Sequence, residues 1–232
     1  MENPMENYQS APLVCTRGVI VFPNQEIIID VGREKSIRAV EDGRQLFERR
    51  VVLVSQRDLT IEDPGMSDLY GVGTLCEIRH IRRLDGYLRV KFRGVCRCEL
   101  QSVSEENGCQ MAGFRVLNDI RQDELEEVTL VRMIARQFEE MEAVSSHLPK
   151  EAIAELANGV SAQQLSDQIA QMFPFSLEKR QEFLETLGIN DRLTLVLQEI
   201  QNEKQLSEIE NKINAKVKER LEESQKEYYL RE

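Results

Sequence analysis

Apolar residues recur along this chain first with the period of strands and then with the period of helices. Leu13–Pro23 is apolar and β-branched until Pro23-Asn24 breaks it, and Glu26–Val31 comes next as a second short run stopped by Gly32. These two runs predict neighbouring strands with a tight connection at Phe22–Gln25. Between Arg33 and Phe47, Ile37, Val40, Leu46 and Phe47 recur at roughly helical spacing, interrupted by Asp42-Gly43. One short helix is expected there, covering the open end of a sheet. Val51–Ser55 is almost continuously apolar, as a strand buried on both faces should be. Gly73–Ile81 and Tyr87–Phe92 flank Asp85-Gly86, a strong local hairpin signal. Cys96–Val103 and Met111–Val116 add two more strands. About seven strands and one helix thus precede residue 118, the pattern of a small, mostly antiparallel barrel or curled sheet.

Beyond Asp123 the period changes. Leu125, Val128, Val131, Ile134, Ala135, Phe138 and Met141 mark one face of an amphipathic helix. Pro149, Gly159, Pro174 and Gly188 divide the next stretch into short helices carrying Ile153 and Leu156, then Leu165, Ile169 and Phe173, then Leu177, Phe183 and Leu187. From Asn190 onward there is neither proline nor glycine. Asn190 is expected to cap a helix of about 40 residues, ~60 Å long. Leu193, Val196, Ile200, Leu206, Ile209, Ile213, Val217, Leu221 and Tyr228 form a narrow apolar stripe along it. Its first half is expected to pack on the helical body. The Leu206, Ile209, Ile213, Val217 and Leu221 stretch is left to pair with the same stripe of another protomer. The resulting organisation is α+β: a disordered leader over residues 1–10, a β-rich head over 11–118, a helical subdomain over 119–189 and a long helical stalk over 190–232.

Composition narrows the chemistry. The formal net charge of the 232 residues is −11, which argues against a nucleic-acid binder, whose affinity comes largely from neutralised phosphates. Arg79, Arg82, Arg83, Arg89, Lys91, Arg93 and Arg97 lie close in sequence and read as solvent-facing strand positions. No apolar stretch approaches a membrane span, and the acidic, polar N-terminus does not resemble a signal peptide. A cytoplasmic protein with reduced cysteines is expected. Cys15, Cys76, Cys96, Cys98 and Cys109 read as small buried hydrophobes, because Cys96-x-Cys98 has no second pair to complete a metal site. The sequence contains no phosphate loop and no Gly-x-Ser-x-Gly, and its two histidines, His80 and His147, stand without neighbouring carboxylate or cysteine partners. These absences predict no catalytic residue, no metal and no cofactor.

Several stretches together resemble a known family. Val19–Pro23, Val31–Ala39, Ser55–Asp58 and Asp68–Thr74 resemble, in that order, the N-terminal domain of the ATP-dependent Lon protease. Lys216–Glu232 resembles the segment that leads into that family's ATPase module. The resemblance covers nearly the whole chain from about residue 11. It implies a PUA-like β-barrel head, a helical subdomain and a long helix joining a hexameric ring. It also implies a role in selecting unfolded, damaged or degron-bearing proteins for proteolysis by a serine–lysine peptidase that this chain does not contain. On that basis an apolar patch at Phe22, Pro23, Ile81 and Leu84 is the expected substrate contact, since misfolded proteins display side chains that native ones hide. Two alternatives accompany it: a structural spacer or oligomerisation module, and a nucleic-acid-binding PUA-like module.

Overall fold

The computed structural model describes residues 8–142 and 160–231. Its first half holds β1 (Tyr8–Thr16), β2 (Glu26–Val31), α1 (Glu34–Leu46), β3 (Arg50–Ser55), a single 3-10 turn at Met66–Asp68, β4 (Val72–Leu84), β5 (Tyr87–Glu106) and β6 (Cys109–Leu117). Among the described residues its second half holds four helices: α2 (Glu124–Glu142), α3 (Ala162–Met172), α4 (Leu177–Glu185) and α5 (Ile189–Arg231). The strands form one sheet in the order β2-β5-β4-β3-β1-β6, and β6 also pairs with β5. β1, β3, β4, β5 and β6 therefore close a cycle of pairings, with β2 appended to the outer half of β5. Within that cycle only β1–β3 is parallel.

Strand alternation explains the two cores of this half. Leu13 and Cys15 of β1, Val52 and Val54 of β3, Leu75, Cys98, Leu100, Ala112 and Phe114 form one cluster, to which every strand of the cycle contributes. Their neighbours Val14, Val51, Leu53, Cys76, Ile78, Val90, Phe92 and Met111 face the other way and pack with Ala39 and Val40 of α1. β3 is buried on both faces as its apolar run predicts.

Several expectations are corrected. β1 starts at Tyr8, so residues 8–10 of the expected leader are strand, paired with Arg115, Phe114 and Gly113. β1 and β2 are not neighbours; β2 pairs with β5 along the register Glu26↔Arg93 to Val31↔Leu88. The expected tight turn at Phe22–Gln25 is present, with the Gln25 N–H donating to the Phe22 carbonyl at 3.2 Å and Asn24 at φ 63°, but it delivers the chain to β5 rather than back to β1. The runs 87–92 and 96–103 are one 20-residue strand, which reduces seven strands to six. α1 continues through Asp42-Gly43, where glycine lets the helix approach β3 so closely that a Cβ at position 43 would stand 2.5 Å from Val51 Cγ1.

Among the described side chains of α2, which do not include Met141, the buried positions are Leu130, Ile134 and Phe138, while Leu125 is 78% exposed and Val128 and Ala135 are also exposed. The stripe that faces the body is thus one i, i+4 row. Asn190 is not the cap of α5. The helix starts at Ile189, and Gln122 Oε1 accepts from the backbone N–H of Asn190 at 3.0 Å and of Asp191 at 3.3 Å. A side chain from the segment before α2 thereby satisfies first-turn donors that the helix leaves unpaired. His147, Pro149, Ile153, Leu156 and Gly159 lie outside the described residues.

The two halves share a core. Ile20 and Phe22, from the segment after β1, belong to the same apolar cluster as Ile134, Phe138, Leu165, Ile169, Phe173, Phe183, Leu193, Val196 and Ile200. Into this contact the chain buries charge. Arg97 of β5 donates to both Asp167 oxygens at 2.5 and 3.1 Å and to the Leu184 carbonyl at 3.0 Å. Arg192 of α5 bonds Asp119, Ser166 Oγ at 3.1 Å and the Thr186 carbonyl at 2.9 Å. Gln181 adds a bond to the Val72 carbonyl at 2.9 Å. The solvent-facing position expected for Arg97 is corrected: α3 and α4 cover it, and it is 2% exposed.

Phe22 fills this junction, so Phe22→Ala should cost about 3–5 kcal/mol, the usual range for truncating a buried aromatic. Ile28→Ala, on an exposed strand face, should stay within about 0.5 kcal/mol. Urea denaturation of the two variants compares them directly, and equal effects would contradict the assigned packing.

Candidate functional site

β2, β5 and β4 extend past the strand cycle as a three-stranded sheet with a solvent-facing outer side. β4 and β5 meet at Leu84↔Tyr87 across the two-residue turn Asp85-Gly86. Ile81, Leu88, Val90 and Phe92 point inward to the core with α1. The outward positions form rows across the strands: Leu84 beside Tyr87, then Arg82, Arg89 and Asp30, then His80, Lys91 and Ile28, then Glu77, Arg93 and Glu26.

Charge on this face is largely paired. Arg89 makes two bonds to Asp30 at 2.7 and 2.8 Å, Lys91 contacts Glu26 at 2.7 Å, and Arg79 contacts Glu77 at 2.9 Å. The Lys91 hydrogen bond holds the Glu26 carboxyl below the usual range, and Arg89 does the same for Asp30. Ile28 stands 62% exposed between these two ion pairs. The basic run read from the sequence is therefore solvated, except at the buried Arg97, and Arg79, Arg83, Arg89 and Lys91 within it are ion-paired.

β2 carries a second feature. Among the described residues it pairs only with β5, which leaves its other edge open. Beside that edge lies a groove of about 420 Å³, bounded by Val14, Thr16, Arg17 and Val19 on one side and Ile29–Arg33 on the other. Among the described residues, the end of β1 that borders the groove, Leu13–Thr16, is paired on one side only, with β3.

The four expected contact residues do not share one exposed patch. Phe22 is 1% exposed at the junction with the helices, and Pro23 is buried beside Gly94 of β5. The Phe22 N–H donates to Gln25 Oε1 at 2.9 Å, and a Cβ at Gly94 would collide with the Phe22 carbonyl oxygen. Their expected exposure is thus corrected: an aromatic among apolar helices is worth more inside than in water. Ile81 is half-buried against the α1 core, and Leu84 is half-buried on the outer side of the hairpin end.

On α5 the expected division holds. Leu193, Val196 and Ile200 are buried, while Leu206, Ile209, Ile213, Val217 and Leu221 are each at least half exposed. Among the described residues nothing covers that second stretch.

Nucleophiles and metal ligands are placed differently. Cys15, Cys76, Cys98 and Cys109 are buried and Cys96 half-buried, all as free thiols. Burial pushes the Cys15 thiol up to about 12 and Cys109 to about 11, so neither is a ready thiolate. Among the described residues no group of three or more His, Cys, Asp or Glu is arranged to hold a metal ion. No helix among them is long and apolar enough to cross a membrane.

Sequence reasoning missed two features: the open edge of β2, and the buried charges Asp119, Asp167 and Arg192. Arg192 had a legible signal. It falls three residues after Ile189 and four before Val196, on the apolar side of α5, where a charge needs a partner.

Comparison with known proteins accords with this architecture. The sequence model of the family described as the ATP-dependent protease La (LON) substrate-binding domain matches residues 10–202. Lon protease of Bacillus thuringiensis (strain Al Hakam) is 36% identical over 234 residues, covering 100% of this chain and 29% of that protein. Lon protease 1 of Bacillus subtilis is 32% identical, covering 97% and 29%, and Lon protease of Escherichia coli (strain K12) is 33% identical, covering 95% and 28%. This chain therefore spans less than a third of the length of these relatives. Among solved structures, the N-terminal domain of Mycobacterium avium complex Lon protease superposes with a TM-score of 0.66 at 14% identity, covering 83% of this chain and 98% of that one. The Lon N-terminal domain protein from Xanthomonas campestris superposes at 0.54 and 18%, covering 82% and 97%. These two likenesses establish the shared fold, and with a family match over most of its length the chain belongs to the Lon substrate-binding domain family.

Proposed function

We propose that this chain is the non-catalytic front region of a Lon protease, receiving unfolded, damaged or degron-bearing proteins in the cytoplasm for an ATPase and a serine peptidase elsewhere in the parent. The observation that carries this reading is the match to a family described as substrate-binding over residues 10–202. The remaining length of the relatives leaves room for the ATP-dependent machinery. Leu84 remains the apolar contact on the outer side of the hairpin, while Ile81, half-buried on the opposite face, packs against the α1 core. Phe22 and Pro23 act as packing instead, Phe22 in the core shared with the helices and Pro23 buried beside Gly94 of β5. Single contacts of this kind are weak, since burying one apolar side chain yields only about 1.5–3 kcal/mol before the cost of association. Several heads on one ring raise the effective concentration and so the avidity.

Ring assembly is the second half of the proposal. α5 has 43 residues, about 64 Å at 1.5 Å per residue. Leu206, Ile209, Ile213, Val217 and Leu221 succeed one another at three- or four-residue steps, the spacing of a helix-pairing seam. Other protomers, in a hexameric parent, are the partners this stripe fits. The nucleic-acid alternative is disfavoured by a net charge of −11 and by the ion pairs that occupy the basic face. A purely structural spacer is the competing reading.

Two measurements decide among these. Titrating the labelled chain with one protein in native and permanently unfolded forms should give NMR shifts only with the unfolded form, weakened severalfold by Leu84→Ala. A chain indifferent to both forms would favour the spacer. Sedimentation at rising concentration should show self-association that Ile209→Asp together with Ile213→Asp abolishes without loss of helicity. A monomer at every concentration would remove the pairing role from α5.

A further inference from the structure

The backbone of β2 offers a binding element of its own. Antiparallel partners alternate between residues that exchange both hydrogen bonds and residues that exchange none. Gly94 bonds toward β2, donating to the Gln25 carbonyl and accepting from Asn24 N–H, both at 2.9 Å. Even-numbered β5 residues therefore face β2, which leaves odd-numbered Tyr87 to close the hairpin with Leu84. In the register Ile27↔Phe92, Ile29↔Val90 and Val31↔Leu88, the N–H and C=O groups of Ile27, Ile29 and Val31 point to β5. Those of Glu26, Ile28 and Asp30 point to the open edge, a ladder of three donors and three acceptors with no protein partner among the described residues.

Side chains on that edge are patterned. Glu26, Ile28 and Asp30 stand outward and exposed, as acid, apolar and acid at every second position. Ile29 and Val31 turn inward to the groove, whose far wall includes Val14 and Val19. We propose that the open edge of β2 accepts an extended polypeptide segment as an added strand. The segment that fits alternates, with basic side chains on the outer face and apolar side chains toward the groove. β2 already pairs with such a strand on its other edge, where Arg89, Lys91 and Arg93 alternate with Leu88, Val90 and Phe92. The engaged carboxylates retain acceptor capacity for a second cation each. Arg17 and Arg33 close one end of the groove, which confines basic side chains to the outer face. An acidic chain of net charge −11 also draws such segments from a distance. Main-chain bonding tolerates many sequences, while the alternation supplies the preference. This inference rests on the substrate-receiving reading and names the class of segment received.

The test uses the labelled 232-residue chain and three nine-residue peptides: one alternating lysine and valine, one with glutamate for lysine, and one N-methylated at alternate backbone nitrogens. The lysine–valine peptide should shift the amides of Glu26, Ile28 and Asp30 and the groove residues Val14 and Val19. N-methylation and the glutamate exchange should each weaken binding at least tenfold. Ile28→Pro deletes an edge-facing N–H without breaking the ladder to β5, and Ile28→Lys sets a like charge against the peptide on an exposed position. Both variants should keep dispersed spectra and lose at least tenfold in affinity. The proposal is overturned if the lysine–valine peptide leaves β2 unshifted, or if Ile28→Lys binds it as tightly as the parent chain does. In that event, binding of a permanently unfolded protein elsewhere on the chain would leave the substrate-receiving reading intact. A peptide docked on β2 of a chain that ignores unfolded proteins would support the edge and remove that reading.

Discussion

The union of the two halves rests on charge buried where they meet. Arg97 from a strand and Arg192 from the long helix face Asp167 of α3 and Asp119 of the segment before α2, all in the protein interior. Burial pushes the Asp167 carboxyl up, and first Arg97 and then Arg192 pull it back. Desolvating charges is expensive, and removing one partner leaves another stranded, at a cost of about 3–5 kcal/mol. Two arginines and two aspartates balance only as a set. Because the set draws on four separate elements, it is complete only when strand β5, α3, α5 and the 119 segment sit in one register. Ile20 and Phe22 supply the apolar contact around it. The charges supply the geometric demand that apolar contact alone does not make.

That demand shapes what remains exposed. With Phe22 committed to the junction and α1 packed against the inner side of β2–β5–β4, the outer side of that sheet stays free. With the first part of α5 committed to the body through Leu193, Val196 and Ile200, the stretch from Leu206 onward is left without an apolar neighbour among the described residues. A module organised this way keeps its chemistry at backbone edges and apolar stripes. That suits a family defined by binding rather than by reaction.

Local patterns were legible in the sequence and tertiary choices were not. Asp85-Gly86 announced its hairpin, Val51–Ser55 its doubly buried strand, and the break-free run after Gly188 its long helix, because each signal is written in adjacent residues. β2 could not be assigned to β5 over β1, since short apolar strands carry no mark of their partner. Phe22 reads equally as a surface anchor or a core residue until the helices are placed over it. Arg97 sits in a run of basic strand residues that look alike, and only the covering by α3 and α4 separates it from Arg93. The open edge of β2 was invisible for a related reason: an edge is defined by the neighbour that is missing.

The dependence on buried charge is tested most directly by a double-mutant cycle on Arg97→Met and Asp167→Leu, read out by urea denaturation. Each single replacement strands a buried charge and should cost about 3–5 kcal/mol, while the double replacement, which leaves Arg192 with Asp119, should cost less than either alone. Additive losses in the double variant would contradict the account, because they would mean that the two side chains stabilise the junction independently.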